Sequence, residues 1–367
     1  MTRTLYLSLL SCVVLATACG KKETEALSNS GGNQTQSTAI APAPAAITLE
    51  GGAKALQPAD VASTAVTIKQ NAVPAITPGD YVVDGEKRFN GWFLSAERIV
   101  FKANSKLIFT KAALDARPNF FILTKEIVAE DQQQPGFISW ERPALPAPPD
   151  AGTAAAGEDK GSSESVVGGR GTDGKVGNAG QAGRDAPSLT LTALSIKGSV
   201  IIDLKGQDGG PGGKGQAGGR GGGGGYGTPA SSSAVDCRRG AGNGGAGGAG
   251  GNGGKGGPSG TGGRGGTFTL ITSDENMASA SRLLRVDLSA GQPGATPGDG
   301  GDAGVGGGGG RRGQEARPYC KDDGSNGAQG GGGQTGPRGD LGSPGTGGDY
   351  FVGGMSPASV TELLTKR

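Results

Sequence analysis

The chain has 367 residues, of which 77 are glycine and only 34% are hydrophobic. This composition cannot supply a large apolar core to the glycine-rich part. Basic and acidic residues number 35 and 33, so no field of one sign steers the protein to nucleic acid. The sequence contains no histidine, which excludes Ser-His-Asp and Cys-His catalytic groups and most zinc and iron sites. We therefore expect a protein that is not an enzyme and carries no cofactor or metal.

The first segment has the pattern of an export signal. Arg3 is followed by an apolar run from Leu5 to Leu15 and then by small residues up to Cys19. The apolar run is too short for a membrane-spanning helix and is typical of a secretory signal. Residues 1–18 are therefore predicted to be the signal peptide.

This segment resembles the signals of bacterial lipoproteins, in which the cysteine after the small residues is diacylated and becomes the mature N-terminus. The resemblance implies a lipid anchor at Cys19 and a membrane as partner. With Gly20 rather than aspartate after the cysteine, it also implies export to the cell envelope and passage to the outer membrane. Such signals usually have leucine three residues before the cysteine, whereas Ala16 stands there. Lipidation at Cys12 and a plain cleaved signal remain alternatives.

The next part of the chain divides by composition. Residues 19–78 are rich in Ser, Thr, Gln, Ala and Pro and predict a disordered, lipid-anchored tether. Residues 79–131 contain short β-branched and aromatic runs, which predict a small β domain. The proline-rich residues 132–167 predict a linker or long loop, and residues 353–367 form a C-terminal tail.

Glycine recurs at every third residue in five tracts within residues 168–352. A period of three matches polyproline II geometry, and a row of glycines lets neighbouring backbones touch. We expect a mainly β fold with a polyglycine II helix bundle, built as glycine-rich hairpins on a base of short strands. An intermolecular, collagen-like triple helix and a disordered linker remain alternatives. The many Gly-Gly-X steps and the scarcity of proline favour the single-chain bundle, and hence a monomer, although a trimer stays open.

The glycine-rich region contains an internal duplication. Asp203 and Asp287 occupy matching positions 84 residues apart, and Cys237 and Cys320 lie 83 apart. Each of two units reads as a strand, an ascending tract, a tip, a descending tract and a strand, with tips near 228–241 and 314–323. Two equivalent tips at the same height predict a disulfide between Cys237 and Cys320. A redox-active pair is not indicated, because there is no Cys-x-x-Cys motif.

The Gly-Gly-X tracts, such as the run through Ala246, Ala249 and Asn252, resemble those of snow flea antifreeze proteins and of phage tail-tip adhesins. They also look like bacterial collagen-like surface proteins. In the adhesins, loops at the end of the bundle bind a receptor, and the resemblance therefore implies binding at the tips. Arginine and tyrosine are enriched at binding hot spots. The candidate binding residues are Tyr226, Arg238, Arg239, Arg311, Arg312, Arg317 and Tyr319.

Two functions follow as hypotheses. The first is a non-catalytic, surface-exposed lipoprotein that acts as a spacer or adhesin and meets a surface receptor or polysaccharide. The second is a carbohydrate-binding module or carbohydrate-active enzyme in the predicted β domain. Its candidate aromatic residues are Trp92, Phe93, Phe120 and Trp140.

Overall fold

The computed structural model describes residues 49, 51–70, 78–161 and 165–365. The predicted signal peptide, Cys12 and the predicted lipid anchor Cys19 lie outside the described residues. The described part belongs to one compact unit, Ile47–Arg367.

The regular structure consists of strands and a few helices. In chain order the strands are β1 (Lys54–Ala55), β2 (Asp80–Val83), β3 (Glu86–Phe89), β4 (Phe93–Phe101), β5 (Lys106–Phe109), β6 (Asn119–Ala129), β7 (Gly136–Trp140), β8 (Ser188–Lys197), β9 (Val200–Asp203), β10 (Ser231–Ser232), β11 (Cys237–Arg239), β12 (Phe268–Ser273), β13 (Leu284–Asp287) and β14 (Tyr350–Met355). The α-helices are α1 (Pro58–Gln70), α2 (Lys111–Ala116), α3 (Met277–Leu283) and α4 (Pro357–Thr365).

Two parallel sheets contain most of the strands. The larger has the order β1-β14-β12-β8-β6-β4-β2 and the smaller the order β13-β9-β7-β5-β3. From β2 to β14, the chain visits the larger sheet and then the smaller sheet in turn. Each coil of the chain therefore stacks on the previous one with parallel pairing, as in a two-sheet solenoid.

The core lies between the two sheets. Phe109 of the smaller sheet and Phe120 of the larger sheet stack with ring centroids 4.2 Å apart, and both are buried. A second cluster covers the outer face of the larger sheet, where Leu123 meets Ile68 of α1 and Leu364 of α4. Burial on both faces explains why β6 is a nearly continuous hydrophobic run rather than an alternating one.

The fold class expected from the sequence is wrong. The structure has parallel sheets of seven and five strands with few helices, in an α/β-like arrangement, and it does not show a polyproline II helix bundle on a short β base. The glycine tracts contain neither helix nor long strand. The physical reason is that apolar strands distant in sequence pair in parallel and bury a shared core. Each strand considered alone looks short and independent, because its sequence does not show which strand it pairs with.

The sequence boundaries also fall differently in the structure. Phe120 in the predicted β domain pairs with Leu189 beyond the predicted linker, so both regions share one sheet. Helix α1 lies within the predicted tether and strand β7 within the predicted linker. Helix α4 lies in the predicted tail, where it covers the larger sheet.

Six extended tracts leave the sheets in the described part of the chain: tract 1 (152–161), tract 2 (166–186), tract 3 (204–228), tract 4 (242–266), tract 5 (288–313) and tract 6 (324–348). They form three hairpins, each of which starts after a strand of the smaller sheet and returns to a strand of the larger sheet. Tracts 1, 3 and 5 run side by side in one layer, and tracts 2, 4 and 6 run in the opposite direction in a second layer. The duplication predicted from the sequence is thus part of a threefold arrangement.

Backbone hydrogen bonds join the tracts at every third residue. The amide of Gly218 in tract 3 donates to the carbonyl of Asp302 in tract 5 at 2.8 Å. The amide of Gly251 in tract 4 donates to Gly219 in tract 3, also at 2.8 Å, which links the two layers. The sheet ladder runs into the tracts without a gap, because Leu204 donates to Asp287 directly after β9. The tracts are therefore a continuation of the two sheets in which the layers touch backbone to backbone.

Candidate functional site

The candidate site is the end of the tracts farthest from the sheets, which we call the tip surface (226–241 and 311–326). One loop joins tracts 3 and 4 and contains the short antiparallel pair β10–β11. The other joins tracts 5 and 6, and in it Ala316 and Cys320 exchange two backbone hydrogen bonds of 3.2 and 2.9 Å. A disulfide between Cys237 and Cys320, with Cα atoms 5.0 Å apart, links the loops.

Further backbone contacts fix the two loops to each other. Gly227 donates to the carbonyl of Arg311 and Ala230 donates to that of Gln314, both at 2.8 Å. Because both loops are held by the disulfide and by the tract ladder, the tip surface is one connected unit.

All seven residues that the sequence analysis proposed for binding are exposed at this end of the molecule: Tyr226, Arg238, Arg239, Arg311, Arg312, Arg317 and Tyr319. The structure brings them onto the two disulfide-linked loops and the tract ends next to them. Tyr226 and Tyr319 are 53% and 45% exposed, which leaves area for contact with a ligand.

The arginines of the tip surface fall into two groups. Arg312 pairs with Asp323 at 3.1 Å, and Arg317 pairs with Glu315. Arg238, Arg239 and Arg311 are exposed, and no ion pair among the described residues includes any of them. The second group is available to an anionic ligand.

A groove of about 570 Å³ lies on the tip surface between the ends of tracts 5 and 6. Its lining residues are Arg311, Arg312, Gln314, Glu315, Asp323 and Asn326. Asp323 accepts the backbone amide of Glu315 at 3.0 Å, and Asn326 accepts that of Arg312 at 2.9 Å. The walls are therefore fixed by hydrogen bonds, and they present both guanidinium donors and carboxylate acceptors.

A second groove, of about 550 Å³, lies where the smaller sheet passes into the tracts. Asp208 accepts the backbone amide of Gln292 at 2.7 Å, and this hydrogen bond lowers the pKa of its carboxyl. The hydroxyl and backbone of Ser289 likewise lower the pKa of Asp287. The carboxylate of Asp203 pairs with Arg142. These charges are already engaged in holding tracts to strands, which indicates a structural role.

Asp208 and Arg142 were not predicted from the sequence to have a role, although Asp203 and Asp287 were visible as matched repeat positions. The signal that was present is the spacing: Asp208 and its amide partner Gln292 lie 84 residues apart, the same distance as the repeat. Acidic residues at repeat spacing therefore mark contacts between adjacent tracts.

The four aromatic residues proposed for carbohydrate binding lie in different parts of the fold. Phe120 and Trp140 are buried in the core, with 0% and 2% of their surfaces exposed. Trp92 lies under the guanidinium of Arg117, whose carbon is 4.3 Å from the ring centroid. Phe93 lines a shallow groove of about 320 Å³ at the edge of the larger sheet. The four side chains do not converge on one surface.

Two features are absent from the part of the chain that the structure describes. No helix there has the length and hydropathy needed to cross a membrane. No three His, Cys, Asp or Glu side chains there are grouped so that they could hold a metal ion.

Comparisons with known proteins give little. No protein-family model matches the chain, and no curated protein matches it either. Among solved structures, the springtail antifreeze protein from Granisotoma rainieri, described as a nine polyproline type II helical bundle whose crystal waters match the ice lattice, is 28% identical. The match covers 48% of this chain and 92% of that chain, with a TM-score of 0.10. At that TM-score the likeness carries no argument about fold or function.

Proposed function

We propose that this protein is an exported, lipid-anchored component of the cell envelope whose glycine tracts act as a rigid spacer and whose tip surface is an adhesive end. In this proposal it is non-catalytic, and Cys19 fixes it to the outer membrane. Its partner is a surface receptor or polysaccharide.

The observation that carries the proposal is the way in which the tip surface is held. Each of tracts 3 and 4 donates hydrogen bonds to two other tracts at every third residue, so neither can bend alone. The disulfide then closes the far end. A tract of some 20 residues in extended form reaches several nanometres, at about 3.3 Å per residue. Exposed arginine and tyrosine side chains are thereby presented at a fixed place, which lowers the entropy lost on binding.

The adhesive part is tested with the full chain on a printed array of neutral and acidic glycans. The variant Tyr226→Ala with Tyr319→Ala removes exposed rings from the tip surface, and we expect it to lose most of the binding signal. Val176→Ala with Leu341→Ala is the matched control, because these apolar side chains on the tracts are 60% and 63% exposed. Binding that survives the tyrosine changes would exclude the tip surface as the adhesive end, and an array with no bound glycan would exclude a polysaccharide as its partner.

The anchoring part is tested separately. The full chain is expressed with its signal in a bacterium that has an outer membrane, and incorporation of labelled palmitate is measured. We expect label in the wild type and in Cys12→Ser, and none in Cys19→Ser. Loss of label only in Cys12→Ser would show that Cys12 carries the lipid, and absence of label from all three forms would contradict lipid anchoring.

A further inference from the structure

We infer that the tip surface binds an acidic polysaccharide, with the guanidinium groups of Arg238, Arg239 and Arg311 contacting its anionic groups. The inference rests on the proposed adhesive function and names the class of ligand for the same surface.

Three unpaired arginines are grouped on the tip surface. Two lysines of the tracts face acidic side chains on a neighbouring tract, Lys214 with Asp302 at 2.7 Å and Lys255 with Asp340 at 2.5 Å, whereas others, such as Lys175, are also outside every ion pair of the described residues. On the tip surface, Arg238, Arg239 and Arg311 have no such partner in the described part of the chain. Arg311 lines the groove, and all three exposed guanidinium groups are available for charge-assisted hydrogen bonds to an anion.

The three arginines belong to one rigid unit. Arg239 pairs with Ser231 in the β10–β11 ladder, and Ala230, which precedes Ser231, donates its backbone amide to the carbonyl of Gln314. Arg311, three residues before Gln314, lines the groove together with it. The disulfide next to Arg238 prevents the two loops from separating. The cations are thus pre-arranged for a ligand that extends across both loops.

The groove also distinguishes between classes of polyanion. It holds the carboxylates of Glu315 and Asp323 beside its arginines. A carboxylate repels the anionic groups of every polyanion, but it accepts hydrogen bonds from the hydroxyls that a polysaccharide carries on each sugar and that a DNA phosphodiester chain lacks. Outside the groove, the exposed side chains of Tyr226 and Tyr319 on the tip surface supply amphipathic faces for packing against a sugar ring. A ligand with both hydroxyl donors and anionic groups fits this mixed surface best.

The test compares binding of the full chain to dextran sulfate, polygalacturonate and neutral dextran at physiological salt, by biolayer interferometry. The tip variant is Arg238→Ser, Arg239→Ser and Arg311→Ser together. The control is Lys175→Ser, Arg282→Ser and Arg285→Ser, which removes the same charge from exposed sites elsewhere. We expect wild type to bind both acidic polymers and not dextran, the tip variant to bind about tenfold more weakly or worse, and the control to match wild type.

Other outcomes overturn the inference. An equal loss in the tip variant and the control would show that net charge alone drives the binding. Tighter binding to duplex DNA or to anionic phospholipid vesicles would assign a different class of partner. Tip-dependent binding of neutral glycans on the array would exclude the acidic ligand and leave the adhesive function standing. Glycan binding that does not depend on the tip surface would exclude both the acidic ligand and the tip surface as the adhesive end, and no binding to any glycan would exclude the polysaccharide and leave only a surface receptor as partner.

Discussion

A Cβ atom on Gly218 would lie 2.1 Å from the carbonyl oxygen of Gly251, a distance that real side chains do not adopt. The obstacle is backbone held in the tract ladder, so it cannot move aside as a flexible side chain would. Gly308 lies in tract 5 with open space around the same position. Substitutions at Gly218 and Gly308 therefore distinguish a glycine that close packing requires from one that it does not require.

From this contact we predict that Gly218→Ala destabilises the protein by about 1–3 kcal/mol, as overpacking usually does. Gly308→Ala is expected to leave the free energy of unfolding almost unchanged. Chemical denaturation of both variants measures the difference. Equal stability of Gly218→Ala and wild type would contradict the close packing of tracts 3 and 4.

The same contact explains which part of the glycine pattern was readable from sequence. Tracts 3 and 4 lie in the centre of the array, where two of every three residues closely approach the backbone of a neighbouring tract. Glycine occupies most of these positions, which gives the Gly-Gly-X steps. Tract 6 lies at an edge, where its backbone bonds join it to tracts 4 and 5 among the described tracts, and it needs one full row of glycine. Its Gly-X-X sequence, with Pro337 and Pro344, therefore looks collagen-like without implying other chains.

The disulfide gives a second prediction. Cys237→Ser with Cys320→Ser should lower the thermal midpoint, since the bond closes a loop across 83 residues and contributes up to about 4 kcal/mol in the chain-entropy account. Calorimetry under non-reducing conditions measures the shift. Wild type with a reductant should fall toward the double variant, while the variant itself should not respond. An unchanged midpoint in the variant would show that the tract ladder alone fixes the tip surface.

Two features could not be predicted from the sequence. Tract 1 has glycine only at 152, 157 and 161, but Gly157 donates to Arg220 and the tract pairs with tract 3. Edge position and small residues such as Ala154 and Ala155 replace the glycine row there, and no period marks them. The shared sheets were also hidden, because parallel partners such as Phe120 and Leu189 are far apart in sequence and local patterns do not report pairing.

Acid should weaken the junction between sheet and tracts. The pKa of Asp208 lies below the usual 3.8 because its carboxylate accepts the amide of Gln292. A depressed pKa in the folded state stabilises the protein above about pH 4, and this contribution is lost as pH falls through the folded value. The variant Asp208→Asn resembles the protonated form. We expect its thermal midpoint to lie below that of wild type at pH 7, and the difference to shrink as the pH falls below 4.

The matched control for this pH dependence is Asp299→Asn. Asp299 has 82% of its side chain exposed, and the nearest nitrogen of Arg338 is 3.7 Å away. Its midpoint should follow that of wild type at every pH, since exposed ion pairs contribute little. A gap between Asp208→Asn and wild type that stays constant from pH 7 to pH 3 would contradict the linkage.

The shared core gives the last prediction, that the strands before residue 131 and the glycine tracts unfold together. Phe120 is fully buried, stacks on Phe109, and lies in β6, which pairs with β8 at the base of tract 2. Phe120→Ala should cost about 3–5 kcal/mol. In a single cooperative unit this loss accelerates amide hydrogen exchange in tracts 3 and 4 as well as in β6. The outcome that would contradict it is faster exchange confined to residues 79–131, with tract amides such as that of Gly251 as protected as in wild type.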